Sequence, residues 1–193
     1  MPQSTRNSIE EDGWVFTKID NFEILTEFDC GDDDLNEYFK QDAAAHRALL
    51  LTETYQFTES SIELPFPVAL VSLCNDAIKK DEVKGHPFFQ ELPEKKRYPD
   101  FPAVKIARIG VHKDFHGNHI GKRMINLIKK MFVTDNRTGC RFITVDAYNA
   151  VNGRDDRVIQ FYQNCDFQFL YNRDFNRPTR SMFFDLKRLC PIF

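Results

Sequence analysis

The stretch FHGNHIGKRM, residues 115–124, gathers the groups in this chain best suited to chemistry. Gly117 and Gly121 bracket a turn, His112, His116 and His119 lie in or beside it, and Lys122 and Arg123 open the segment that follows. Three readings are open: a cradle for phosphate, a metal site built on imidazoles, or an ordinary polar loop. The start of a helix leaves up to four amides unpaired and carries about half a positive charge, so a helix beginning at Ile120 would attract phosphate through backbone alone. Lys122 adds a full charge and the glycines allow close approach. The metal reading is poorer. His112 falls at a strand end and the other two histidines in a turn, where rings splay, and no carboxylate inside the motif completes a second shell. Neither GxGxxG nor GxxxxGK[ST] is present, which sets aside the Rossmann dehydrogenases and the P-loop ATPases.

The elements that must position this turn are legible on both sides of it. AVKIARIGV, from residue 103, reads as a strand with Gly110 inside it, a mark of a bulge or a close approach by other backbone. Ile120, Met124, Leu127, Ile128 and Met131 share one face of a helix ending near TDNRTG, while Lys122, Arg123, Lys129 and Lys130 lie largely outside that stripe. CRFITVDAY predicts a strand, and Val158, Phe161, Tyr162 and Cys165 one face of a second helix. DFQFLYN and RSMFFDLKRL predict two strands joined by a polar turn around Asn176 to Pro178. Upstream, WVFTKI, FEILTEF, TETYQFTES and FPVALVSLCND read as strands, and a helix begins near Asp33, where aspartates suit its N-terminus. The expected fold is α/β: one domain over residues 13–193, a mixed, twisted sheet of about six to seven strands flanked by helices. Residues 1–12 are expected to fray. Residues 76–102, holding four of the nine prolines and a charge cluster, read as an irregular insertion with room for a short helix.

Composition narrows the class. At 193 residues, with 42% hydrophobic and 28% charged side chains, the chain can bury a sizeable core, and 19 phenylalanines predict one rich in rings. Five cysteines without CxxC spacing fit free thiols. No stretch approaches the roughly 18 apolar residues of a membrane helix, and the first residues lack an apolar run, so a cytoplasmic protein without membrane contact is expected. A net charge of -3 argues against coating nucleic acid by charge alone, without excluding a local patch.

On these residues the chain resembles the GNAT superfamily of N-acetyltransferases. The strand IARIGVHKDF, the turn HGNHIG and the helix KRMINLIKKMF are similar to that family's acetyl-CoA motif, Gln or Arg, x, x, Gly, x, Gly or Ala. His116 takes the first place, His119 the fourth and Gly121 the sixth. Phe161-Tyr162-Gln163-Asn164-Cys165-Asp166-Phe167 is similar to the family's FYxxxGF, and the match covers about residues 103–187. His119 and Asp166 stand where the family has glycine. The resemblance implies an acetyl-CoA-dependent N-acetyltransferase that uses no metal. Backbone groups of Ile109 and Val111, with Gly110 between them, would pair with the pantetheine arm as if it were an added strand. His116, Gly117, Asn118, His119, Ile120, Gly121 and Lys122 would hold the pyrophosphate, Asn149 would complete the cofactor contacts, and Tyr162 would direct its hydroxyl at the thioester sulfur.

The acceptor is argued from proton chemistry. At pH 7 a lysine ε-amine needs about 4 to 5 kcal/mol to lose its proton, an α-amine only about 1 to 1.4. No side chain stands out as a base, which favours an amine of low pKa. The first expectation is a primary amine of a small molecule or protein, with a homodimer left open. A second follows from FDCGDDDLNEYFKQDA and RYPDFPAVKIARIGV, which resemble the GNAT toxins of toxin and antitoxin pairs and imply acetylation of aminoacyl-tRNA, the one reading that brings nucleic acid in. A non-catalytic acyl-CoA sensor is the third.

Overall fold

A computed structural model of the chain describes residues 8–61, 66–92, 100–134, 138–149 and 156–190. Its first feature is a hairpin. Ser8–Glu11 (β1) pairs antiparallel with Trp14–Lys18 (β2) across Asp12 and Gly13, both at positive φ (51° and 78°). Asp-Gly between strands favours this tight turn, because both central residues must be left-handed. The frayed segment expected over 1–12 is therefore a strand at Ser8–Glu11, while residues 1–7 lie outside the described residues.

FEILTEF is not a strand. Phe22–Leu25 is a 3-10 helix, started by the Asn21 side chain, which accepts a hydrogen bond from the Glu23 amide at 2.9 Å. Leu25 and Phe28 are buried at a spacing of three, a period that a strand cannot bury on one face. Asp32 caps the next helix by accepting from the Leu35 amide at 3.0 Å. That helix runs from Asp33–Glu37 (α1) through a π-helical turn, Tyr38–Asp42, into Ala43–Ala48 (α2).

Glu53–Glu59 (β3) and Ala69–Lys79 (β4) follow. The expected insertion begins with four residues that still belong to β4, then holds a 3-10 turn, Lys80–Glu82, and a short helix, Pro87–Gln90 (α3). Its residues 93–99 lie outside the described residues. Asp100–Val111 (β5), Ile120–Thr134 (α4), Phe142–Tyr148 (β6), Arg157–Asn164 (α5), Gln168–Phe169 (β7) and Thr179–Asp185 (β8) complete the order expected from residue 103 onward.

The eight strands form one mixed sheet in the order β1-β2-β3-β4-β5-β6-β8-β7, one more strand than the upper expectation, the extra one being β1. β5 and β6 are parallel, with α4 between them in sequence, as a parallel pair requires. Two compact units can be described within the chain: Met1–Cys74 with Ala107–Met131, and Asn75–Ile106 with Phe132–Phe193. In the first, Ile19, Leu25, Phe28, Cys30, Tyr38, Phe39, Ala43 and Leu70 form the core. In the second, the rings of Phe88, Phe89, Phe101, Phe142 and Phe183 pack together, as the phenylalanine count predicts.

Two helical faces differ from expectation. On α4 the buried arc widens to include Ile125 and Lys129, one turn apart, so Lys129 is not on the solvated side. On α5 it is Ile159, Tyr162 and Cys165 that are buried, while Val158 is exposed, a rotation of the face by one residue.

Candidate active site

Gly110 lies in β5 with ordinary backbone, and its reason is steric. A Cβ there would come within 3.3 Å of Cys30 Cβ and 3.4 Å of a Phe39 ring carbon, so a larger residue would require these side chains to give by a few tenths of an ångström. Approach by side chains, not backbone, is what the glycine permits.

The edges of β5 have different fates. The His112 amide donates to the Val68 carbonyl at 2.9 Å, so even-numbered residues here direct their backbone groups towards the β4 edge and, by alternation, Ala107, Ile109 and Val111 direct theirs to the other. On that other edge the ladder with β6 runs from Ala103↔Phe142 to Ile106↔Val145 and stops, although β5 continues to Val111. Side chains occupy part of this open stretch. Arg108 Nη1 donates to the Ala107 carbonyl at 2.9 Å, and His116 Nε2 donates to the Val111 carbonyl at 2.8 Å. Among the described residues, the ladder with β6 does not reach Ile109.

Beyond Val111 the chain makes a 3-10 turn, Lys113–Phe115, and enters α4. The His112 ring is buried, stacked on Phe66 with centroids 4.0 Å apart, and its Nδ1 accepts from the Asp114 amide at 3.3 Å. His112 and His116 thus serve packing and backbone, and the three histidines do not converge. Gly117 has φ +81°, with nothing within 4 Å of the place a Cβ would take. The first helical hydrogen bond runs from the Arg123 amide to the His119 carbonyl at 3.1 Å. The amides of Gly117, His119, Ile120, Gly121 and Lys122 have no acceptor among the described residues. Gly117, Asn118, His119 and Lys122 are exposed, and buried Ile120 anchors the start of the helix, an arrangement that leaves room for an anion at these amides.

His119 carries the cradle's one backbone irregularity, φ +59°. The family pattern has glycine here, and this chain keeps the left-handed turn with a side chain that resists it. His119→Gly is expected to stabilise the fold by about 0.5 to 1 kcal/mol, the left-handed penalty less the extra chain entropy of glycine. The melting midpoint should rise by about 1–3 °C, read by thermal denaturation.

The base of the turn is held by an ion pair that motif reading missed. Lys113 Nζ lies 2.7 Å from Asp29 Oδ2, and the Lys113 amide donates to the Asp29 carbonyl at 2.9 Å. Lys113, the Gly31 amide and the Asn36 side chain hold the Asp29 carboxyl well below the usual carboxylate range. A depressed pKa stabilises the fold above the ordinary carboxylate value, about 3.9, and this contribution is lost as pH falls through the folded-state value. Asp29→Asn should lower stability at pH 7 and flatten the loss between pH 4 and 2, as followed by urea melts across that range.

In the second unit, α5 ends in a Schellman closure. The Phe167 amide donates to the Tyr162 carbonyl (3.0 Å) and the Asp166 amide to the Gln163 carbonyl (2.9 Å), with Asp166 at φ +62° in glycine's usual place. The hydrophobic contact that accompanies such closures is Phe167 against Tyr162, ring centroids 5.4 Å apart. This closure fixes the Tyr162 ring. Tyr162 is 3% exposed, its hydroxyl has no partner among the described residues, and burial, with Cys165 nearby, pushes its pKa well above the ordinary phenol value. It is a neutral, proton-bearing group at any working pH.

Asn149 has a structural task in this fold. Its Nδ2 donates to the carbonyls of Phe175 (3.0 Å) and Arg177 (2.9 Å), so both side-chain donors clamp the β7–β8 turn. The second unit also has a half-open cleft of about 280 Å³, lined by Asp76, Val104 and Cys140 among others, and no candidate residue lines it. No described helix is long and apolar enough to cross a membrane.

No family model matches the chain. Solved structures do. A tyrosine-to-phenylalanine variant of KacT matches with a TM-score of 0.72 over 92% of this chain and 98% of its own, at 15% identity. AtaT complexed with acetyl-methionyl-tRNAfMet matches with a TM-score of 0.68 over 91% and 96%, at 16% identity. AtaTR bound with AcCoA matches at 0.66 over 93% and 97%, also at 16% identity. The chain shares the fold of these solved proteins. The likeness spans the first hundred residues as well as the segment from 103 to 187 on which the sequence resemblance rests.

Proposed function

We propose that the protein is an acetyl-CoA-dependent N-acetyltransferase whose acceptor is the α-amine of an aminoacyl-tRNA. The observation that carries the first half is the set of amides at Gly117, His119, Ile120, Gly121 and Lys122, unpaired among the described residues, beside the stretch of β5 that β6 does not pair. A diphosphate fits the cradle, and an amide-bearing arm fits the edge at Ile109. Bound acetyl-CoA would supply an acetyl group activated as a thioester.

The residues then divide the work. The α4 amides and Lys122 neutralise the diphosphate, and Ile109 orients the arm. The Val111 carbonyl becomes available to the arm when the His116 ring swings away. The acceptor amine, already neutral in a sizeable fraction near pH 8, attacks the acetyl carbon and gives its proton to water. Tyr162 delivers its proton to the departing sulfur.

Two points support the tRNA acceptor over a small or protein amine. An α-amine suits a chain in which no residue stands out as a strong base. The fold is also that of a protein solved with acetyl-methionyl-tRNAfMet. The test is an acceptor screen with acetyl-CoA, charged tRNAs, amino acids, peptides and polyamines, following free thiol. Thiol release with charged tRNA, and an acetylated α-amine by mass spectrometry, is the expected result. Release with peptides or polyamines alone would restore the other acceptor class, and binding without release would indicate a sensor.

A further inference from the structure

The turn joining β7 to β8, residues 172–178, holds an exposed ring on a rigid base. Phe175 is 69% exposed. Its carbonyl and that of Arg177 are clamped by Asn149, and the buried carboxylate of Asp174 receives Arg180 Nε and the Ser181 amide, each at 2.8 Å. Arg180 is itself buried, its guanidinium 4.0 Å from the Phe169 ring centroid and 5.3 Å from that of Phe175. The Phe175 ring therefore rests on a fixed, charge-balanced cation while most of it faces water.

The charges around the ring differ in availability. Arg173 is engaged by Glu82 at 2.9 Å and lies over the Tyr171 ring. Arg177 is exposed and has no ion-pair partner among the described residues. An exposed aromatic ring two residues from an exposed guanidinium in one turn offers the chemistry that takes a nucleobase and a nearby phosphate. A purely apolar protein partner would use the ring and leave Arg177 without a role.

We propose that Phe175 and Arg177 form a docking platform for the single-stranded 3′ end of the charged tRNA, with one base stacked on Phe175 and a neighbouring phosphate on Arg177. The inference rests on the aminoacyl-tRNA reading, since that substrate presents its amine on an unpaired end. Asn149, Asp174 and Arg180 position the platform and do not touch the RNA.

The experiment uses the full chain and an RNA hairpin whose single-stranded 3′ end carries 2-aminopurine at one position, read by fluorescence quenching and anisotropy. The same variants are assayed for thiol release with an amino acid ester. Phe175→Ala should bind RNA about ten- to a hundredfold more weakly and lose the quenching, while Phe175→Trp keeps both. Arg177→Ala should lower the salt dependence of binding, the slope of log K against log salt falling by about 0.7. Melting midpoint and turnover of the ester should stay at wild-type values. Wild-type RNA binding and quenching in Phe175→Ala would overturn the platform and leave the tRNA reading standing. Equal losses with RNA and with the ester would mark the ring as structural and also overturn it. A wild-type protein that turns over the ester and binds no RNA would overturn the platform and the tRNA acceptor together.

Discussion

Tyr162→Phe is expected to slow acetyl transfer by about 10² to 10⁴-fold, the usual worth of a positioned proton donor, while acetyl-CoA binds as before. The substitution keeps the ring that Phe167 packs against in the Schellman closure, so the end of α5 is unchanged. The hydroxyl has no partner among the described residues, so removing it breaks no internal hydrogen bond. The melting midpoint should therefore stay close to the wild-type value. The raised pKa also fixes the pH profile. Tyr162 stays protonated well past pH 10, so turnover should climb through the acceptor's own pKa, about 7.7 to 8.0 for an α-amine, and then level off. Stopped-flow thiol release and calorimetry with acetyl-CoA read both sides, and a Tyr162→Phe protein of normal turnover would remove the assignment.

Lys122→Glu should separate stability from binding with opposite signs. Lys122 is exposed in the first turn of α4, three residues past His119. A carboxylate there suits the helix dipole and can reach back to the unpaired amide of His119, so the free protein should gain about 0.3 to 1 kcal/mol. In the proposed complex the same carboxylate would face the diphosphate. Turning an attraction near 4 Å into a repulsion costs about 2 kcal/mol in water, or about thirtyfold in acetyl-CoA affinity. A rise in melting midpoint paired with weaker acetyl-CoA binding is the expected outcome from thermal melts and calorimetry. Weaker binding with a lower midpoint would mean that the helix start had been damaged.

From residue 103 onward the sequence was informative because its elements are long or carry a local signature. The strand through Gly110, the turn of two glycines and the α4 stripe each have a pattern that sterics enforce. His119 and Asp166, which depart from the family's glycines, both adopt the left-handed backbone that the glycines would have taken, so the pattern outlasts the residue that normally permits it. The misreadings have physical causes as well. FEILTEF alternates enough to suggest a strand, but a side-chain cap at Asn21 and burial at every third residue favour a 3-10 helix. Ser8–Glu11 lacks apolar character and gains its strand from the Asp12–Gly13 turn. Asn149 spends its side-chain donors on a turn whose need for a clamp no local pattern announces. Asp29 could have been found within FDCGDDD, yet its partner Lys113 is 84 residues away and only the fold pairs them.

The account depends on backbone amides at the start of α4 holding a diphosphate, and amide chemical shifts measured during an acetyl-CoA titration test that most directly. Gly117, His119, Ile120, Gly121 and Lys122 should shift more than other residues with acetyl-CoA, and should barely move with S-acetylpantetheine, which lacks the diphosphate. Shifts at these amides that are the same for both ligands, or no change in them at millimolar acetyl-CoA, would contradict it.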